Sequence, residues 1–181
     1  ISFDDNRVKN RLKGIERLDQ FYIDSANYKL IPLNINSEFS DFGPVFFGDD
    51  LVFSSARKKR GLGKLQSKYG WDKTPYIDLY ILKKGTDEPI RFSRKINSRF
   101  HDGPIAFTKK NQEAIFTRNN YLKGKSGLSK EGINKLKLYR SEKKEGNWNR
   151  VLSFPFNSDN YSVCHPAPNR DGSIIYFSSD M

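Results

Sequence analysis

The chain has 181 residues, enough for one domain, with 36% hydrophobic and 14% aromatic residues and a formal charge of +11. No run approaches the ~20 apolar residues of a membrane-spanning helix, and a single cysteine, Cys164, excludes an internal disulfide. The aromatic enrichment favours strands over helices, while the basic balance bears on partners and solubility rather than on fold.

Residues 1–22 differ in pattern from the remainder of the chain. Val8, Leu12, Ile15, Leu18 and Tyr22 recur at spacings of three and four, which predicts a short amphipathic helix over about 6–21. Asp4, Asp5 and Asn6 are its candidate caps, and Gly14 weakens it by roughly 1 kcal/mol relative to Ala. The segment 1–27 reads as a helix and linker from a preceding helical region, or as a helix packed on the first sheet. From Tyr28 the pattern becomes strand-like, and Lys29–Leu33, with Pro32 inside it, predicts an edge strand.

Beyond Leu33 the chain repeats itself. Asn36-Ser37, Asn97-Ser98 and Asn157-Ser158 stand 61 and 60 residues apart. The aromatics Phe39, Phe100 and Tyr161 recur every 61, and Pro44, Pro104 and Pro166 recur after 60 and 62. Asp78-Leu79-Tyr80 is answered by Lys137-Leu138-Tyr139. A fixed period of this kind signals a repeat architecture. The predicted strands of the first copy are 43–47, 51–55, 77–83 and 90–95. Those of the second are 103–108, 113–118, 134–140 and 149–154, and the third has 165–168 and 173–178. Asp49-Asp50, Lys109-Lys110-Asn111 and Asp171-Gly172 supply turns between first and second strands, and Gly85 and Gly146 turns between third and fourth.

The fold class read from this is all-β: a partial β-propeller over 28–181, with repeats at about 36–96, 97–156 and 157–181. It comprises two full four-stranded blades and the start of a third after a short N-terminal helix. Ordinary blades run nearer 40–45 residues. The excess lies in Arg57–Thr74 and Asn119–Asn134, loops rich in Gly and Lys between second and third strands. The chain begins at Ile1 without a signal peptide and stops inside the third copy, so it is expected to be a piece of something longer.

Phe42-Gly43-Pro44-Val45-Phe46, Val52-Phe53-Ser54-Ser55-Ala56-Arg57, Tyr76-Ile77-Asp78-Leu79-Tyr80, Phe116-Thr117-Arg118-Asn119-Asn120 and Tyr176-Phe177-Ser178-Ser179-Asp180-Met181 carry a resemblance. Together they look like the WD-repeat-like propeller of Bacteroidota OmpA-family envelope proteins. In that family a tetratricopeptide region precedes the propeller, and a carboxypeptidase-like sandwich and an OmpA-like peptidoglycan-binding domain come after it. The group includes a lipoprotein component of type IX secretion and gliding machinery. The resemblance implies a non-enzymatic scaffold in the periplasm, associated with the outer membrane and reaching the membrane only indirectly. Its partners would be other envelope proteins of a larger complex, and peptidoglycan through a domain that no residue here represents. The alternatives are a substrate-gating propeller of an α/β-hydrolase peptidase and a TolB-like periplasmic propeller.

No catalytic, cofactor or metal site is assigned. Cys164-His165 suggests a nucleophile and base, but sequence neighbours rarely have that geometry and no third orienting group recurs with them. No His/Cys/Asp spacing matches a zinc site. Gly61-Leu62-Gly63-Lys64 only superficially matches a phosphate loop, since no helix pattern comes after it. The Asn-Ser-x-aromatic stretches read as crossovers between blades, with Asn and Ser capping turns and the aromatic filling space between sheets. The basic loops remain: Arg57, Lys58, Lys59, Arg60, Lys64, Lys68 and Lys73 in the first, Lys123, Lys125, Lys130 and Lys135 in the second, with Tyr69, Trp71 and Tyr121 among the charges. On a propeller both loops open on one face, where their charges would attract an acidic partner. No signature for nucleic-acid binding is present.

Overall fold

A computed structural model of the chain describes residues 6–59 and 67–181. Two compact units are present, Ile1–Leu33 and Asn34–Met181. In the first, helix α1 (Asn6–Ile15) is followed by single 3-10 turns at Leu18–Tyr22 and Ser25–Asn27. The helix is thus shorter than the apolar spacing predicts. The chain tightens behind Gly14, where the Arg17 amide bonds the Gly14 carbonyl, and glycine is a poor place to propagate a helix. Asn6 is itself helical, and Asp4 and Asp5 lie outside the described residues. The edge strand expected at Lys29–Leu33 does not form: this stretch joins no sheet. Pro32 has no N–H to offer a ladder.

The second unit is mostly β. Strands β1 (Asp41–Phe47), β2 (Asp50–Ser55), β3 (Asp78–Leu82) and β4 (Ile90–Arg91) form one antiparallel sheet in that order. Gly48-Asp49 closes the first hairpin, with Gly48 at φ 66°. Strand β4 is shorter than the predicted 90–95 because Ser93 curls the chain. Its Oγ accepts from the Lys95 and Ile96 amides, and its carbonyl accepts from Asn97. Such local side-chain bonds compete with the ladder.

The second sheet starts with β5 (Asp102–Thr108) and β6 (Glu113–Asn119). A small separate hairpin comes next, β7 (Tyr121–Leu122) and β8 (Lys125–Ser126), then β9 (Leu136–Lys144). Strand β9 runs beyond the predicted 140 to the Glu145-Gly146 turn. Of the fourth strand expected at 149–154 only β11 (Leu152–Ser153) forms, and a further short strand, β10 (Asn147–Trp148), precedes it; both pair with β9. The third sheet is the pair β12 (Val163–Pro168) and β13 (Ile175–Ser179).

One irregularity recurs in all three sheets. The register shifts between Phe42 and Val45 in β1, between Asp102 and Ile105 in β5, and between Cys164 and Ala167 in β12. Each shift contains the repeated proline, preceded by a residue at positive φ: Gly43 at 61°, Gly103 at 110° and His165 at 55°. A bulge leaves one residue out of the ladder, so proline's missing donor does no harm there. At Gly103 a side chain would also collide with Ser54 of the first sheet.

The sheets stack in chain order. Strand β5 packs against β1, β2 and β3, and β12 against β5, β6 and β9. Between the first two sheets lies the core: Val52, Leu79, Ile81, Ile96, Ile105, Ala114, Phe116, Tyr139 and Trp148. A repeated asparagine joins each of the first two sheets to the crossover behind it. Asn97 Oδ1 accepts from the Leu79 amide at 2.8 Å, and its Nδ2 donates to the Leu79 carbonyl at 2.9 Å. Asn157 does the same to Leu138, at 3.1 and 2.7 Å. The asparagine therefore stands in for a ladder partner across the sheet, rather than capping its own turn as the sequence suggests.

A candidate docking face built on the crossovers

The ends of β2 and β6 each carry a buried or half-buried ion pair. Ser37 donates its amide (2.7 Å) and hydroxyl (2.8 Å) to Asp41 Oδ2. Arg57 Nη2 donates to Asp41 Oδ1 at 2.9 Å and to the Ile35 carbonyl at 3.0 Å. Its guanidinium lies 4.9 Å from the Phe53 ring centre and 5.2 Å from Tyr80. In the second copy the Ser98 amide and Arg118 hold Asp102, Arg118 also donates to the Ile96 carbonyl, and its guanidinium covers Phe116 and Tyr139. Burial is the largest influence on Asp41, but the hydrogen bonds from Ser55, Arg57 and Ser37 together outweigh it and hold the carboxyl below its ordinary value. At Asp102 burial wins over Arg118 and pushes the carboxyl up to about 6.

Arg57, expected among the partner-facing cations, is therefore turned inward and serves the crossover. Lys59 pairs with fully buried Asp78 at 2.9 Å, beside Arg91 at 3.0 Å. Lys58 pairs with Glu38 at 3.2 Å, with both side chains exposed, a type of pair worth little. Arg57, Lys58 and Lys59 line one cleft of about 800 Å³ with Tyr80, Arg91 and Arg94. Arg60 and Lys64 lie outside the described residues. Lys68 bridges to Pro75, and Trp71 is 86% exposed.

The second loop is more ordered than its composition suggests. Lys123 and Gly124 turn the β7–β8 hairpin at φ 51° and 82°, the pair of positive φ that tight hairpins favour. Asn134 ties the loop to its base, donating to the Asn120 and Gly127 carbonyls and accepting from the Asn120 amide. Lys123, Lys125 and Lys130 remain exposed. The Tyr121 carbonyl accepts from Arg118, which fastens the loop to the crossover.

Aromatic rings connect the two loops. Tyr69 meets His101 at 4.7 Å, His101 meets Tyr76 at 4.8 Å, Tyr76 meets Phe100 at 5.5 Å and Phe100 meets Tyr121 at 5.1 Å. Edge-to-face contacts of this kind stabilise beyond simple burial. His101 Nδ1 accepts from the Ile77 amide at 3.2 Å, which requires an unprotonated nitrogen. Burial accordingly lowers its pKa, partly opposed by Asp72. Sequence reading gave Tyr69 and Tyr121 a place on this face but missed Tyr76 and His101 as its connecting members. The recurrence of the aromatic at Phe100 was the available signal.

Cys164 and His165 do meet, with Nδ1 and Sγ 3.0 Å apart, contrary to the geometry expected of sequence neighbours. Burial raises the thiol's pKa, and Asp180 raises it further, so the thiolate a nucleophile needs is disfavoured. Among the described residues no group of three or more His, Cys, Asp or Glu could hold a metal ion, and no helix is long and apolar enough to cross a membrane. A scan against protein-family models, a search of curated proteins and a search of solved structures each find no match.

Proposed function

We propose that the chain is a docking scaffold without catalytic activity, and that its sheets are successive blades of a β-propeller. The order of packing supports the blade reading, since β5 lies on the first sheet and β12 on the second. So does the reuse of one asparagine bracket between them. The observation that carries the docking reading is the ring ladder from Tyr69 to Tyr121, which ties two lysine-bearing loops to the rigid crossovers. Loops held on a fixed frame are the usual place for recognition, and exposed lysines beside aromatic rings suit an acidic protein surface. The resemblance of the repeat motifs to OmpA-family envelope proteins supports a periplasmic setting near the outer membrane, with other envelope proteins as partners and a role in type IX secretion or gliding. The test is charge reversal of Lys58, Arg60 and Lys64, leaving the Lys59–Asp78 pair intact, with capture from an envelope extract as the readout and circular dichroism as the folding control. Capture falls several-fold if the reading is right; unchanged capture by a folded variant removes the first loop from the face.

A further inference from the structure

A second basic groove shares Ile90 and Arg94 with the cleft beside Lys58 and Lys59 and extends from there to Phe47, Lys83 and Lys143 beside the hairpin turns. Strand β2 runs from the Gly48-Asp49 turn to Ser55, where the first loop leaves, so residues beside the turn are remote from the loops. The groove, of about 480 Å³, opens between the first and second sheets, within the range of about 300–1,000 Å³ typical of ligand sites. Its floor is aromatic. Phe47 and Phe92 meet at 5.7 Å, and Phe92 and Trp148 at 5.6 Å. Its rim carries Lys83, Arg94, Lys95 and Lys143, and no Asp or Glu is among its lining residues. Lys83 is engaged by Asp50 at 3.0 Å. Lys143 Nζ sits 4.6 Å from the Phe47 ring centre and 5.6 Å from that of Trp148. Among the described residues no carboxylate pairs with Arg94, Lys95 or Lys143.

Two short strands frame this groove. Strand β4 ends the first sheet and β10 ends the second, so each has one neighbour only. Ile90 of β4, and Asn147 and Trp148 of β10, line the groove. An end strand offers unpaired backbone groups to an added segment.

We propose that this groove binds an extended acidic peptide segment carrying one aromatic or large aliphatic anchor. The anchor lies on Phe47, Phe92 and Trp148. The flanking carboxylates meet Arg94, Lys95 and Lys143, and the peptide backbone runs along β4 or β10. Charge complementarity selects this occupant: three cations that have no carboxylate partner among the described residues stand around an apolar floor whose lining holds no Asp or Glu.

The probe is a fluorescein-labelled hexapeptide, Glu-Asp-Phe-Glu-Leu-Asp, titrated against the 181-residue chain by anisotropy. Binding weakens at least tenfold in Lys95→Glu/Lys143→Glu and when alanine replaces the peptide's phenylalanine, and it is retained in Lys123→Glu/Lys125→Glu. The proposal is overturned if the lysine-for-acid version of the peptide binds equally well. It is also overturned if the two double variants weaken binding equally, which would mark general attraction to a +11 chain. Complete displacement by millimolar inorganic phosphate overturns it too, since a simple anion site would then suffice.

Discussion

Asn97 and Asn157 each satisfy both the donor and the acceptor of one strand residue, Leu79 and Leu138. Leaving a buried backbone group unpaired costs about 1–3 kcal/mol; the Leu79 carbonyl keeps the Phe92 amide at 2.9 Å, so Asn97→Ala orphans only the Leu79 N–H and lowers stability by roughly 1–3 kcal/mol in urea unfolding. Asn157→Ala costs less, because Asn157 is only half-buried. Asn36 is exposed and brackets no strand among the described residues, and Asn36→Ala stays within about 0.5 kcal/mol. The sequence marked these asparagines by their recurrence. It did not disclose their partners, which lie 18 and 19 residues away in the preceding sheet. His101 gives a residue-scale pH dependence. Its folded pKa is depressed by burial, so the unfolded state binds more protons below the usual histidine value. The contribution is intact at higher pH and is lost as pH falls from the ordinary histidine value through the depressed one. Melting temperatures of the protein and of His101→Gln, compared from pH 8 to pH 5, diverge in that direction; parallel curves would mean that His101 is not buried as described.

At the scale of elements, strand positions were largely legible because alternation and turn residues are local. Strands β1, β2, β3, β5, β6, β12 and β13 fall within about two residues of the expected bounds. Fourth strands were legible in place but not in length, because Ser93 and the Asn149–Val151 stretch divert the chain by side-chain and tertiary bonds. The loop hairpin β7–β8 was missed because its tie, Asn134, is remote from the turn it stabilises. The turn after β5 shows strain that sequence only hinted at: Lys109, Lys110 and Asn111 take φ of 50°, 51° and 66°. A left-handed conformation costs an ordinary residue roughly 1–2 kcal/mol, a penalty that glycine escapes. Lys110→Gly is therefore expected to raise the denaturation midpoint by an amount equivalent to roughly 0.5–1 kcal/mol, and a lower midpoint would contradict the turn geometry.

Across the unit Asn34–Met181, recurrence at 60 to 61 residues was the strongest sequence signal, and it corresponds to sheets that stack in chain order. The candidate face was legible only in part. Exposed Lys123, Lys125, Lys130 and Trp71 stand where composition put them, but Arg57 and Lys59 belong to ion pairs with Asp41 and Asp78. Sequence shows charge but not which charge is already neutralised. The docking claim is met most directly by hydrogen–deuterium exchange of the chain alone and with a captured envelope partner. The account predicts slowed exchange at residues 67–77 and 119–134, where the ring ladder joins the loops. Protection confined to the Phe47–Trp148 groove, with both loops unchanged, would contradict the loop face as the scaffold's docking surface.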